Sequence, residues 1–166
     1  TWYSINSDVC LTCPTLRIGN YLMDQLNDSV SIYVYLFGGP GKDGKYYAPH
    51  ASELAYVFGN NVGANIAFQL PWDPILSRKM TYAWTNFGKT GIPSINNDSI
   101  VWEQYNGNNV ILFQDNIEMI YDFNAFWRNN NNVCEFWYNN VSYNDMYNLC
   151  IANTFDVINA SIIDII

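Results

Sequence analysis

The sequence predicts an α/β fold, in which helices cover the faces of a small sheet. Three observations favour this class. The β-branched and aromatic run at 31–37 is typical of a strand buried on both faces. Apolar residues at helical spacing follow Asp73-Pro74, which predicts an amphipathic helix. Two shorter apolar runs, 110–113 and 117–121, predict a peripheral hairpin that bends at 115–116.

Helix boundaries are marked by a few residues. Pro14 suits the first turn of one helix. Asp73 and Pro74 combine an N-cap with a first-turn proline for a second helix, which Gly91 is expected to end. Residues 1–12 show no period and are expected to connect to a preceding segment. The second helix carries one core-facing apolar stripe: Leu76, Met80, Ala83, Trp84 and Phe87.

The number of predicted strands is small for a chain of 166 residues, of which 49% are hydrophobic. A buried central strand needs neighbours on both sides and cover on both faces. We therefore expect an upstream segment or a second polypeptide to complete the sheet.

The charge balance excludes one class of partner. The net charge is −8, the pI is near 4.2, and seven basic residues are spread over the whole chain. Because phosphate binding needs a basic patch, no nucleic acid partner is expected. The apolar end at 162–166 contains Asp164 and is too short to span a membrane.

The cysteines and sequons indicate the compartment. Cys10-x-x-Cys13 could be half of a metal site or a redox pair, but the chain has one histidine and no second C-x-x-C. An even cysteine count together with N-glycosylation sequons favours secretion or the lumen of a secretory or storage vesicle. Four sequons are present, at Asn27, Asn97, Asn140 and Asn159.

The candidate catalytic residue is His50, the only histidine in the chain. It follows the strand at 31–37 and a glycine-rich loop, and its side chain type titrates near neutral pH. A loop at the end of a buried strand is where an α/β enzyme carries its general base. The alternative is a loop residue bonded to a backbone partner. The glycine-rich loop lacks G-K-[ST], so phosphate binding is not expected there.

The stretch around His50 resembles the catalytic histidine segment of the type-B carboxylesterase and cholinesterase family. Glu53 follows three positions later, and Tyr56-Val57-Phe58-Gly59 closes the segment. Other segments resemble family motifs in the same order, so that the resemblance is collinear over roughly residues 10–140. These segments are Cys13-Pro14, 76–87, 88–93, 101–105 and 133–137.

This resemblance implies the C-terminal portion of an α/β-hydrolase fold, incomplete without an upstream segment. Residues 1–150 would belong to that domain and 151–166 would form a C-terminal tail. His50 would be the general base. Glu53 would orient water and backbone near it, or would favour the dipole of a helix that begins there.

The same resemblance implies a disulfide between Cys13 and Cys134. Cys10 and Cys150 are then left, and they either bridge each other or leave Cys150 to link two subunits. No G-x-S-x-G occurs in the chain, so the serine nucleophile and the acid residue are expected from the N-terminal portion of the same hydrolase.

Two function classes follow. The first is a serine ester hydrolase that acts on a small ester through an acyl-enzyme, without metal or cofactor. The second is a non-catalytic esterase-like structural, storage or crystal-forming protein that acts through homo-oligomer or crystal contacts. The bias toward Asn, Ile and Tyr is typical of AT-rich genomes such as those of social amoebae, in which esterase-like crystal proteins occur.

Overall fold

The computed structural model of this chain describes residues 5–26, 29–39, 48–61, 71–95, 100–127, 132–152 and 162–165. A π-helical segment, Ser7–Thr12, runs directly into the first α-helix. The α-helices are α1 (Cys13–Leu26), α2 (Glu53–Val57), α3 (Pro74–Thr90), α4 (Phe123–Phe126), α5 (Val133–Asn140) and α6 (Tyr143–Ala152). The strands are β1 (Val34–Gly39), β2 (Val110–Gln114), β3 (Glu118–Ile120) and β4 (Ile162–Ile165).

The four strands form one mixed sheet in the order β3-β2-β1-β4. β1 runs parallel to β2 and antiparallel to β4. β2 and β3 form the predicted antiparallel hairpin. The predicted strand at 31–37 is β1, which begins at Val34 rather than at residue 31.

Side chains of the central segment alternate between two hydrophobic clusters on opposite faces of the sheet, as the two-residue period of a strand requires. The first cluster receives Tyr33, Tyr35 and Phe37, and the second receives Ile32, Val34 and Leu36. Helices α2 and α3 cover the first cluster, whereas α1, α4 and α5 contribute to the second. Helices therefore cover both faces, in agreement with the expected α/β class.

Helix α3 begins and ends where the sequence predicts. The Asp73 carboxylate accepts hydrogen bonds from the backbone N–H groups of Ile75 at 2.7 Å and Leu76 at 3.2 Å. Gly91 has a φ of 74°, and its N–H donates to the carbonyl of Phe87 at 2.7 Å. A glycine tolerates this left-handed conformation without steric cost, and it closes the last turn.

Two disulfides join distant parts of the chain. Cys13 is bonded to Cys134, and Cys10 to Cys150, with Cα–Cα distances of 5.1 and 5.5 Å. All four cysteines are bonded within the chain, so Cys10-x-x-Cys13 is neither a metal half-site nor a redox pair, and Cys150 does not link subunits here. In the chain-entropy account, a single bond that closes a loop of 121 or 140 residues contributes roughly 5 kcal/mol, and the two contributions do not add because Cys10–Cys150 encloses the loop of Cys13–Cys134.

The two ends of the chain differ from expectation. Part of the segment expected to be a connector is the π-helix, in which Val9 is buried and the indole N–H of Trp127 donates to Asp8 at 2.8 Å. Helix α6 runs past residue 150, and Ile162–Ile165 join the sheet as β4, so part of the expected tail belongs to the fold. Within the described ranges, no helix is long and apolar enough to cross a membrane.

Candidate active site

His50 lies in a tight turn just before α2, and it is exposed to solvent. The backbone N–H of Ser52 donates to the carbonyl of Pro49 at 3.1 Å and closes this turn. Ala51 has a φ of 66°, a left-handed conformation that is rare for a residue with a Cβ. Ala48 and Ser52 on either side are fully buried. The turn is therefore anchored on both sides while the imidazole projects outward.

Helix α2 places this turn beside the end of β1. The ring of Tyr56 packs against the ring of Phe37, near the carboxyl end of β1, with a centroid distance of 5.1 Å. Ala55, Tyr56 and Val57 belong to the first hydrophobic cluster. The turn with His50 directly precedes α2, which packs on the last residues of the central strand. In α/β sheets, ligands bind at this carboxyl end of the strands.

Two hydroxyl groups of α3 hold the C-terminal end of α2. Ser77 Oγ donates to the carbonyl of Tyr56 at 2.9 Å, and Thr81 Oγ1 donates to the carbonyl of Val57 at 2.8 Å. The backbone N–H groups of Phe58, Gly59 and Asn60 also donate to carbonyls of α2, but a helix of five residues is too short to be stable alone. This pair, the Ser77–Thr81 latch, therefore positions the segment that carries His50. Sequence reasoning missed it, although the spacing of four residues along α3 was visible.

Tyr56 anchors the same segment from the other side. Its side chain is fully buried, its hydroxyl donates to the carbonyl of Pro71, and its ring lies 5.1 Å from that of Trp72. Burial raises the pKa of the Tyr56 phenol to about 12. The phenol is therefore neutral near physiological pH and serves as a packing residue and a hydrogen-bond donor.

Glu53 is the first residue of α2 and is 5% exposed. Its carboxylate lies in the first turn, where it is favoured by the helix dipole. It is also three residues from His50, on the buried side of the same segment. Both expected roles are compatible with this placement, and the assignment of Glu53 to the site stays a prediction.

Two exposed apolar side chains follow His50 in the chain. Leu54 is 48% exposed and Phe58 is 78% exposed, and the four-residue spacing puts them on the same side of α2. We call this pair the apolar face of α2. Large apolar side chains left in water on one side of a helix are typical of a surface that another segment or a ligand covers.

The residues that the structure describes do not form a complete catalytic triad. Within the described residues, no hydroxyl or carboxylate is hydrogen-bonded to the His50 imidazole.

Of the four candidate glycosylation sites, Asn140 lies at the exposed end of α5, and its side-chain amide donates to the carbonyl of Phe136 at 2.8 Å. Asn27, Asn97 and Asn159 lie outside the described residues.

The sequence comparisons agree with this architecture. The chain belongs to the carboxylesterase family, whose sequence model matches residues 2–137 and thus includes the turn with His50. It is similar to the bile salt-activated lipase of Homo sapiens, with 34% identity over 87 residues, which are 49% of this chain and 11% of that protein.

Two further relatives show the same partial coverage. The bile salt-activated lipase of Mus musculus is 35% identical over 89 residues, 48% of this chain and 15% of that protein. The acetylcholinesterase of Bungarus fasciatus is 29% identical over 106 residues, 61% of this chain and 17% of that protein. The matched part of the chain is therefore a small share of each relative's length.

The latch can be tested by stability. Ser77→Ala removes one of the hydrogen bonds to the carbonyl of Tyr56, which still accepts from Thr81 Oγ1 and from the N–H of Gly59, so we expect the free energy of unfolding to fall by about 0.5–1.5 kcal/mol. Thr85→Val is the matched control, because the exposed Thr85 hydroxyl bonds within its own helix, to the carbonyl of Thr81. Urea unfolding of both variants measures the difference. Equal effects of the two substitutions would contradict the latch.

The buried phenol of Tyr56 makes stability fall at alkaline pH. Its pKa rises from 10.0 in the unfolded chain to about 12 in the folded one, so the folded state retains a proton that the unfolded state loses. The resulting stabilisation is complete below pH 10 and is lost as the pH rises toward 12. Tyr56→Phe should make the decline of unfolding free energy over this pH range shallower. An unchanged slope would show that Tyr56 ionises without cost in the folded state.

Proposed function

We propose that this chain is the C-terminal portion of an ester hydrolase and supplies its general base, His50. One observation carries this proposal: the family match spans 2–137 and includes a histidine in an anchored turn beside the end of a buried strand. In this proposal residues 1–150 belong to the hydrolase domain, and 151–166 form a C-terminal extension that returns to the sheet through β4. The serine nucleophile and the acid residue come from the portion of the protein outside this chain.

The chemistry asked of His50 is proton transfer. Its Nε2 takes the proton of the serine hydroxyl as the oxygen attacks the ester carbonyl carbon, and it returns the proton to the departing alcohol. A water molecule then hydrolyses the acyl-enzyme by the same sequence. A carboxylate at Nδ1–H would fix the tautomer and stabilise the imidazolium. The proposed reaction uses no metal or organic cofactor.

The exposure of His50 supports a general base whose serine and carboxylate partners come from the portion of the protein outside this chain. An imidazole satisfied by its own loop would need a backbone partner, and none is found within the described residues. The apolar face of α2 follows it in the chain, and Phe58 there is 78% exposed. Covering side chains of this size contributes about 1.5–3 kcal/mol each. We infer that the rest of the protein covers this face when the active site forms.

Substrate class and compartment follow from the same proposal. The substrate is a small carboxylic ester, since the chain belongs to the carboxylesterase family. Two disulfides favour an oxidising compartment, which is outside the cell or in the lumen of a secretory or storage vesicle. The exposed Asn140 is the candidate glycosylation site within the described residues, and Asn27, Asn97 and Asn159 remain candidates by sequence.

Glu53 is proposed to hold the site in place rather than to contact the ester. Its buried carboxylate would orient water and backbone around His50. A role limited to the helix dipole would affect folding alone. The two roles differ in whether turnover falls after correction for the folded fraction.

His50 is tested in the complete protein with a fluorophosphonate probe and an ester substrate. His50→Gln should lower kcat/KM by about a thousandfold or more, because the serine hydroxyl loses its base. It should slow fluorophosphonate labelling for the same reason. Lys89→Gln, on the exposed last turn of α3, is the control and should change neither quantity.

Two outcomes would contradict the assignment. Unchanged ester hydrolysis by His50→Gln would remove this residue from the chemistry. Absence of labelling and hydrolysis in the unmodified complete protein would favour the non-catalytic esterase-like class, whether structural, storage or crystal-forming. Light scattering of the same sample would then reveal assembly into oligomers or crystals.

Glu53→Gln tests the positioning role. We expect kcat to fall at least about tenfold, equivalent to about 1.4 kcal/mol, with KM unchanged and most of the protein still folded. Glu53→Asp keeps the charge and should recover part of kcat. A variant that only unfolds more easily, with normal kcat for the folded fraction, would assign Glu53 to the helix dipole instead.

A further inference from the structure

A cleft of about 270 Å³ lies between α1, the segment 105–108, α4 and α5. Its lining includes four buried residues of the second hydrophobic cluster, which form an apolar floor: Leu16, Tyr105, Phe123 and Cys134. The cleft is therefore on the face of the sheet opposite α2 and the turn with His50. Pockets for drug-sized ligands measure about 300–1,000 Å³, so this cleft admits one small ring rather than a large ligand.

The rim of the cleft carries exposed polar side chains. They are Asn20 on α1, Asn124 on α4, and Glu135 and Asn139 on α5. In the part of the chain that the structure describes, none of these four side chains is hydrogen-bonded to another protein group. Three amides and one carboxylate together offer both donors and acceptors. The rim can therefore bond to the hydroxyl groups of a ligand without breaking any bond within the protein.

Two tyrosines line the cleft, and their hydroxyl groups are already bonded. Tyr105 donates to the carbonyl of Gly107 at 2.9 Å, and Tyr138 donates to the carbonyl of Cys13. Burial raises the pKa of both phenols, that of Tyr138 to about 12. These side chains therefore offer neutral aromatic rings to a ligand. A pyranose has C–H groups on the faces of its ring and hydroxyls around its edge, which matches an aromatic and apolar floor below a polar rim.

The walls of the cleft are held in place by bonds within the protein. The Cys13–Cys134 disulfide joins α1 to α5. Asn108 joins the segment 105–108 to α4, because its amide donates to Asp122 at 2.9 Å and its side-chain oxygen accepts from the backbone N–H of Asn124 at 3.1 Å. A site that is formed before binding loses little conformational entropy when the ligand enters.

We propose that this cleft binds a neutral sugar, with one pyranose ring on the apolar floor and its hydroxyls bonded to the rim amides and to Glu135. A neutral ligand is favoured because Glu135 is the one charged residue in the lining and would repel an anion. Arg17 does not line the cleft, and its guanidinium lies 5.1 Å from the centre of the Tyr138 ring. Two sources can supply such a ring: a sugar from another molecule, or a glycan on Asn140, which directly follows Asn139.

Saturation-transfer NMR of the complete protein with methyl glucoside, methyl mannoside and methyl galactoside tests the site. We expect millimolar affinity for at least one of them, because a ligand with so few atoms gains little binding energy. Asn139→Ala removes one rim amide and should raise Kd about two- to tenfold. Asn116→Ala is the matched control, since this exposed amide at the bend of the hairpin lies outside the cleft. His50→Gln should also leave Kd unchanged.

Removal of the Asn140 sequon separates the two sources of sugar. Binding by both the unsubstituted protein and Asn140→Gln supports a sugar from another molecule. Binding by Asn140→Gln alone supports the protein's own glycan as the occupant. The absence of binding in both proteins, or equal affinities of Asn139→Ala and Asn116→Ala, overturns the proposal. Binding of tetramethylammonium in place of the pyranosides, with loss of that binding in Glu135→Gln, assigns the cleft to a cation and also overturns it.

Discussion

The fold depends on the burial of β1 from both sides. Tyr33, Tyr35 and Phe37 contribute to one hydrophobic cluster, and Ile32, Val34 and Leu36 contribute to the other. Because each large apolar side chain contributes about 1.5–3 kcal/mol on burial, this one segment links the stability of both helical layers. Because Phe37 packs against Tyr56, the burial of β1 also positions α2, and α2 positions the turn that contains His50.

The two layers are stabilised by different means. The layer opposite His50 contains the Cys13–Cys134 disulfide, and Cys10–Cys150 ties the π-helical segment to α6. The layer that carries His50 is held by packing, by the phenol of Tyr56 and by the Ser77–Thr81 latch. Covalent bonds thus fix one side of the sheet. Packing and hydrogen bonds, rather than disulfides, position the candidate catalytic turn.

Local signals in the sequence predicted the elements that depend on local physics. The apolar run at 31–37, the Asp73 cap with Gly91, and the hairpin all formed close to the predicted residues. The π-helical segment Ser7–Thr12 was missed because its period differs from 3.6 residues. β4 was missed because a four-residue run containing Asp164 has no signal that separates a strand from a tail until its partner is known. The Ser77–Thr81 latch escaped for a similar reason, since a helical hydroxyl gives no indication of a carbonyl on another element.

His50 is proposed to act on a nucleophile from the portion of the protein outside this chain. A crystal structure of the complete protein after reaction with a fluorophosphonate measures this relation directly. The account predicts a phosphonylated serine whose Oγ lies within hydrogen-bond reach of His50 Nε2, about 2.6–3.2 Å. A phosphonylated serine that faces a different base, with His50 still exposed to solvent, would contradict it.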